Sequence, residues 1–193
     1  MNLPNKLTLI RVFLVPFFLI FMYIDIPFHY GIALIIFAAA SVTDALDGKI
    51  ARKNHLVTNF GKFLDPLADK VLVMAALASF VECTDVQMSA IPLIIIIARE
   101  FMVSGLRLLA ADSGVVVAAG IWGKLKTAFT MVTIVGILLW LSIVHDFSFG
   151  ISRSVQDGAD VVITVLIWIS TALTVISGCV YLKGYWHLID SDK

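Results

Sequence analysis

The chain has 193 residues, 60% of them apolar and 15% charged, with fourteen basic and fourteen acidic side chains cancelling to zero formal charge. Soluble domains run near half apolar and a quarter charged, so a mean hydropathy of +0.99 places this chain in the membrane and excludes a sizeable soluble domain. The balanced charge argues against an unusually basic nucleic-acid binder, and Cys83 and Cys179 have no spacing that suggests a disulfide framework or a zinc site.

Hydropathy predicts an all-α fold of six transmembrane helices at about 7–25, 29–50, 60–82, 89–111, 124–145 and 160–183. The opening LPNKLTLIRVF has Pro4 at a first helical position and mixes polar with apolar residues, so an N-terminal interfacial segment is expected, bending into the membrane at Pro16. Along it Asn5, Thr8 and Arg11 recur every three residues, either as a polar face on that segment or as groups that reach a substrate. Lys6 and Arg11 precede an apolar run, but no small-x-small cleavage site follows, so the segment reads as an anchor and not as a signal peptide.

Six spans put both termini on one side. Lys6, Arg11, Lys49, Arg52, Lys53, Lys62, Lys70, Arg99, Arg107, Lys124, Lys126, Lys183 and Lys193 fall there, against Arg153 alone on the other, so both termini are expected in the cytoplasm.

Ionisable residues inside spans are costly and are functional candidates by default. Asp44 and Asp47 lie near the cytoplasmic end of the second span at i, i+3, and Asp65 and Asp69 lie near the start of the third at i, i+4. Each spacing puts both carboxylates on one helix face, and antiparallel neighbours then present four acids to each other. Such a cluster takes up protons unless cations compensate it. Lys49, Arg52, Lys62 and Lys70 could do so by salt bridges, but an oxygen-only set beside substrate phosphates suits magnesium or manganese. Gly48 and Gly61 permit close approach of a nucleotide or diphosphate to the backbone, or close helix packing. Ala51 keeps the same wall shallow, and Arg52 offers a planar fork to phosphate oxygens.

Written out, the pattern is Asp44-x2-Asp47-Gly48-x2-Ala51-Arg52-x8-Gly61-x3-Asp65-x3-Asp69. It resembles the signature of the CDP-alcohol phosphatidyltransferase family at all eight defining positions. The resemblance implies a single membrane domain over residues 1–193 that joins a CDP-linked lipid to an alcohol. It implies two divalent cations, Mg2+ or Mn2+, held by Asp44, Asp47, Asp65 and Asp69, with Asp69 also the catalytic base. CDP-diacylglycerol would then lie against Asn5, Thr8, Gly48, Ala51, Arg52 and Gly61. A homodimer in a bacterial cell membrane, with the active site facing the cytoplasm, is likewise what the resemblance suggests.

Within the family, LPNKLTLIRVFLVP at the start, REFMVSGLR at 99–107 and WGKLKT at 122–127 resemble the members whose acceptor is glycerol 3-phosphate. Thr130 departs from that pattern, where Gln is common. An anionic acceptor needs positive charge beside the metal site, which points to Lys62, Arg99, Arg107, Lys124 and Lys126. Arg99 is the deepest of these and either contacts the acceptor phosphate or pairs with a buried acid, while Glu100 is expected on another helix face. The competing readings are a cardiolipin, phosphatidylserine or phosphatidylinositol-phosphate synthase of the same family, and a cation transporter. A transporter would spread its acids through the bilayer depth, whereas here they gather at one end. His29, His55, His145 and His187 form no catalytic constellation, and Tyr30, Trp122, Tyr185 and Trp186 are expected in the interfacial aromatic belt.

Overall fold

Six long helices, with no strand among the described residues, make up the computed structural model: α1 (Leu3–Tyr23), α2 (His29–Lys53), α3 (Asn59–Glu82), α4 (Ala90–Asp112), α5 (Ile121–Leu141) and α6 (Arg153–Gly184). The structure describes the backbone of residues 3–53, 59–112, 120–147 and 150–186, and within these the side chains of all but 3–4, 44–53, 59–66, 69 and 111–112. The segments Asn5–Tyr23, Ile121–Asp146 and Arg153–Gly184 are long and apolar enough to cross a bilayer, and His29–Thr43 is a shorter apolar stretch. The chain is a multi-pass membrane protein.

Each helix buries one row of side chains at alternating three- and four-residue steps, the period that keeps a single helix face inward. On α2 the row is Tyr30, Ala33, Phe37 and Ala40; on α3 it is Ala68, Leu72, Ala76 and Ser79; on α4 it is Ile96, Arg99, Val103, Leu106 and Ala110. The rows on α5 and α6 run Lys126, Thr130, Thr133, Ile137, Leu141 and Ile163, Ile167, Ser170, Thr174, Ser177, Tyr181. The apolar members of these rows, with Val15, Phe18 and Met22 of α1, form the core. α1 packs on α2 and α3, α2 also on α5, α4 on α3 and α6, and α5 on α6.

Three expectations change. α1 is one uninterrupted helix through Pro16, whose missing N–H is tolerated with the ring on the exposed face. α6 begins at Arg153 and not near 160, because its first turns are polar and exposed, and hydropathy registers a helix only where it becomes apolar. Tyr30 belongs to the core at 8% exposure, its ring flanked by His29 and His145 at centroid distances of 4.0 and 5.3 Å. Trp122 and Trp186 are exposed, in keeping with a belt position.

After α5 the chain makes one π-helical turn, Ser142–Asp146, closed by Phe147 N–H to the Ser142 carbonyl. The wider turn directs Asp146 at the start of α2, where its Oδ2 accepts the Gly31 amide at 2.6 Å. A helix N-terminus has amides with no partner of their own, and here the cap comes from 115 positions away in sequence. Asp146→Ala removes that cap and is expected to destabilise the fold by about 1 kcal/mol, measured as a lower unfolding temperature in detergent. An unchanged temperature would show that the contact contributes nothing.

Candidate functional site

Short connections between consecutive helices bring the start of α1, the end of α2, the start of α3, the end of α4, the start of α5 and the end of α6 to one end of the bundle. The backbone puts Asp44, Asp47, Gly48, Ala51 and Arg52 on the last turns of α2, and Gly61, Lys62, Asp65 and Asp69 on the first turns of α3. Their side chains lie outside the described residues. The buried row of α2 continued at the same spacing reaches Asp44 and Asp47, and that of α3 continued backward reaches Asp65, so these three acids keep the register of the core, with Asp69 one turn on from Asp65. Two adjacent helices with carboxylate oxygens as the sole ligand type suit hard divalent cations of the magnesium class. Among the described residues no three His, Cys, Asp or Glu side chains come together as metal ligands, and both cysteines are free.

Asn5, Thr8 and Arg11 are buried at 7, 0 and 0% exposure. They continue the row of Val15, Phe18 and Met22 along α1, which among the described residues packs on α2 and α3. The polar half of the first helix is therefore turned into the bundle at the end that carries the aspartates, and it is not a solvated face.

On the other flank α4, α5 and α6 build a charged network. Glu100 Oε1 accepts from Lys126 Nζ at 2.6 Å and from Arg99 Nη1 at 2.8 Å. The expectation that Glu100 faces away from Arg99 is overturned: their Cβ atoms diverge, but both side chains are long enough to curl back and meet. The same guanidinium donates through Nη2 to Ser177 Oγ at 2.6 Å, and its stem crosses Gly178, where an added Cβ would come within 3.1 Å of Arg99 Cγ. Tyr181, one turn on, has Arg99 and Arg107 against its ring, with guanidinium carbons 5.6 and 5.7 Å from the centroid. Its hydroxyl accepts from Arg107 Nη2 and from the Gly120 amide, each at 3.2 Å, tying the start of α5 to α4 and α6. From α3, Lys70 Nζ donates to Ser104 Oγ, which in turn donates to the Glu100 carbonyl.

Of the residues expected to hold an anion, Arg99, Arg107 and Lys126 are thus brought together. Lys124 sits exposed on α5 outside this network, two positions from Lys126 and so on a different face. A cavity of about 40 Å³ lies beneath the network, lined by Lys70, Val73, Met74, Glu100, Lys126 and Thr130, roomy enough for water. Thr130 bonds the Ser170 hydroxyl at 2.8 Å, so the position that departs from the family pattern has a packing role between α5 and α6. Larger cavities of 340 and 380 Å³ open at the opposite end around Asp25, His29 and His145. Among the described residues neither is lined by Lys or Arg.

Sequence reading missed Glu100, Ser177 and Tyr181 as members of this network. A signal for them existed: Glu100 is the sole acid of α4 before its last residue, and Ser170, Thr174, Ser177 and Tyr181 form a polar row at core spacing in an otherwise apolar helix. Ser177→Ala leaves a buried guanidinium short of an acceptor and is expected to cost about 1–2 kcal/mol of stability, read from thermal unfolding in detergent. A variant as stable as the parent would mean that Arg99 rearranges freely.

Comparison with known proteins identifies the family. The model of the CDP-alcohol phosphatidyltransferase family matches residues 1–176. The chain is 41% identical to the Bacillus subtilis protein named CDP-diacylglycerol--glycerol-3-phosphate 3-phosphatidyltransferase, covering 100% of this chain and 99% of that one. Proteins of the same name from Haemophilus influenzae and Rickettsia bellii are 40% and 38% identical, over 94% and 95% of this chain and 92% and 94% of theirs. With its aspartate signature, its helical membrane fold and this full-length match, the chain belongs to the CDP-alcohol phosphatidyltransferase family.

Proposed function

We propose that the protein transfers the phosphatidyl group of CDP-diacylglycerol to glycerol 3-phosphate, giving phosphatidylglycerol phosphate and CMP in phospholipid synthesis. What carries this reading is the near full-length similarity to relatives whose name states that reaction. The buried Arg99 and Lys126, with the exposed Arg107 held beside them on Tyr181, support it, because a doubly charged phosphomonoester needs such a cluster and an uncharged alcohol does not.

In this reading Asn5, Thr8, Gly48, Ala51, Arg52 and Gly61 bind the CDP portion, and Lys62, Arg99, Arg107 and Lys126 hold the acceptor phosphate, while the exposed Lys124 adds positive charge at the approach to them. Two divalent ions, magnesium or manganese, on Asp44, Asp47, Asp65 and Asp69 supply the positive charge that binds the diphosphate and stabilises the leaving CMP. Asp69 accepts the proton of the acceptor's 1-hydroxyl as that oxygen bonds to the lipid-linked phosphorus. The phosphorus–oxygen bond to CMP breaks, and the lipid keeps its phosphate. Direct displacement needs no covalent enzyme intermediate and is the simpler course. Six spans with both termini and the site on the cytoplasmic side follow from the thirteen basic residues at one end against Arg153 at the other. A homodimer is the assembly that the family resemblance suggests.

Two measurements test this function. Purified protein in detergent with CDP-diacylglycerol is expected to release CMP when given glycerol 3-phosphate and hardly at all with glycerol, serine or inositol phosphate. EDTA is expected to stop turnover and magnesium or manganese to restore it; full activity in buffer shown to be metal-free would rule out the aspartate cation site.

The acceptor site is tested by Arg107→Ala. Loss of one charge-assisted contact is expected to raise the KM for glycerol 3-phosphate about 10- to 150-fold. The KM for CDP-diacylglycerol should hardly move, since the contact is equal in ground and transition states and remote from the nucleotide wall. An equal rise in both constants would remove Arg107 from the acceptor site.

A further inference from the structure

We propose that Glu100 is a positioning residue of the acceptor site, a carboxylate that aims Arg99 and Lys126 at the acceptor phosphate without touching it. The inference rests on the reading of Arg99 and Lys126 as phosphate-binding groups. A single oxygen of Glu100 takes a bond from each of them, at 2.8 and 2.6 Å. The three side chains are 17, 9 and 5% exposed for Glu100, Arg99 and Lys126, so water does little to screen the two cations from each other. Two like charges held within one oxygen's reach in such surroundings spread apart unless an anion stands between them.

The turn of α4 that carries Glu100 is also tied to α3. The Glu100 backbone carbonyl accepts from Ser104, and Ser104 Oγ accepts from Lys70 of α3. Arg99 is fixed on its far side by Ser177 and by the Tyr181 ring. With Nη1 on Glu100, Nη2 on Ser177 and its stem across Gly178, the guanidinium has one orientation. Lys126 is different. Among the described residues its ammonium bonds one side chain, Glu100, and a lysine stem of four carbons holds a given geometry only when something fixes its end. The carboxylate therefore decides where the Lys126 charge stands, and leaves the remaining donors of both cations for the acceptor.

The test is a four-protein comparison of the holoenzyme: parent, Glu100→Gln, Lys126→Gln and the double variant, with KM and kcat measured for both substrates and the unfolding temperature recorded. Glu100→Gln is expected to raise the KM for glycerol 3-phosphate roughly tenfold, with kcat and the KM for CDP-diacylglycerol within about threefold of the parent. The double variant should fall well short of the product of the two single effects, since Glu100 acts largely through Lys126. Multiplying effects, or a parallel rise in both KM values with a lower unfolding temperature, would overturn the proposal in favour of a purely structural tie. If Glu100→Gln does not fold, Glu100→Asp keeps the charge but draws it back by one methylene. It should still raise the acceptor KM at least threefold or so, and an unchanged KM would overturn the proposal. Should Lys126→Gln leave the acceptor KM unaltered, the acceptor-site reading itself fails; should that variant raise it while both Glu100 variants do not, the positioning role alone fails.

Discussion

Everything at the signature end of this bundle depends on one requirement: charge taken into a membrane helix must meet opposite charge before it meets lipid. Desolvation of a cation or a carboxylate costs several kcal/mol, and water is not at hand to offset it. Glu100 meets that requirement for Arg99 and Lys126, and the helices are placed accordingly. α4 supplies the acid, α5 and α6 approach it with Lys126 and Ser177, and small residues at Gly178 and Gly123 let them come close. The apolar core further along merely continues the same faces.

That continuity is the organising pattern. On α1, α5 and α6 a single inward row changes from apolar to polar as it approaches the signature end, with no break in spacing, and on α4 the buried row carries Arg99 among apolar residues. A helix built this way needs no separate binding loop, since the periodicity that packs the core also delivers Thr8, Arg99, Lys126 and Tyr181 to their places. Sites carried on helices hold their geometry better than sites on loops, which suits a reaction that must bring a water-soluble anion and a lipid diphosphate into register.

Much of this was legible in the sequence. Helix ends follow from hydropathy wherever a helix and its apolar stretch coincide, as in α2, α3 and α4; α6 outran its apolar part, so its start was misjudged. The aspartate signature is a local pattern and could be read directly. The Arg99 to Glu100 contact could not, because adjacency in a helix separates Cβ atoms and says nothing of how two long side chains fold back. The depth of Thr8 and Arg11 was equally hidden, since a polar row every three residues looks the same whether it faces water or the interior. Tyr30 shows the reverse case: an aromatic near a span end reads as a belt residue until two histidines from different elements close over it.

The buried polar half of α1 has a consequence for biogenesis. This helix is made before α2 and α3, yet it is on those two that it packs the face carrying Thr8 and Arg11. Until those have been made, the Arg11 guanidinium is hydrated or held at the headgroups, where a long basic side chain can reach water. α1 therefore settles to its final depth only after the two helices that follow it have been made.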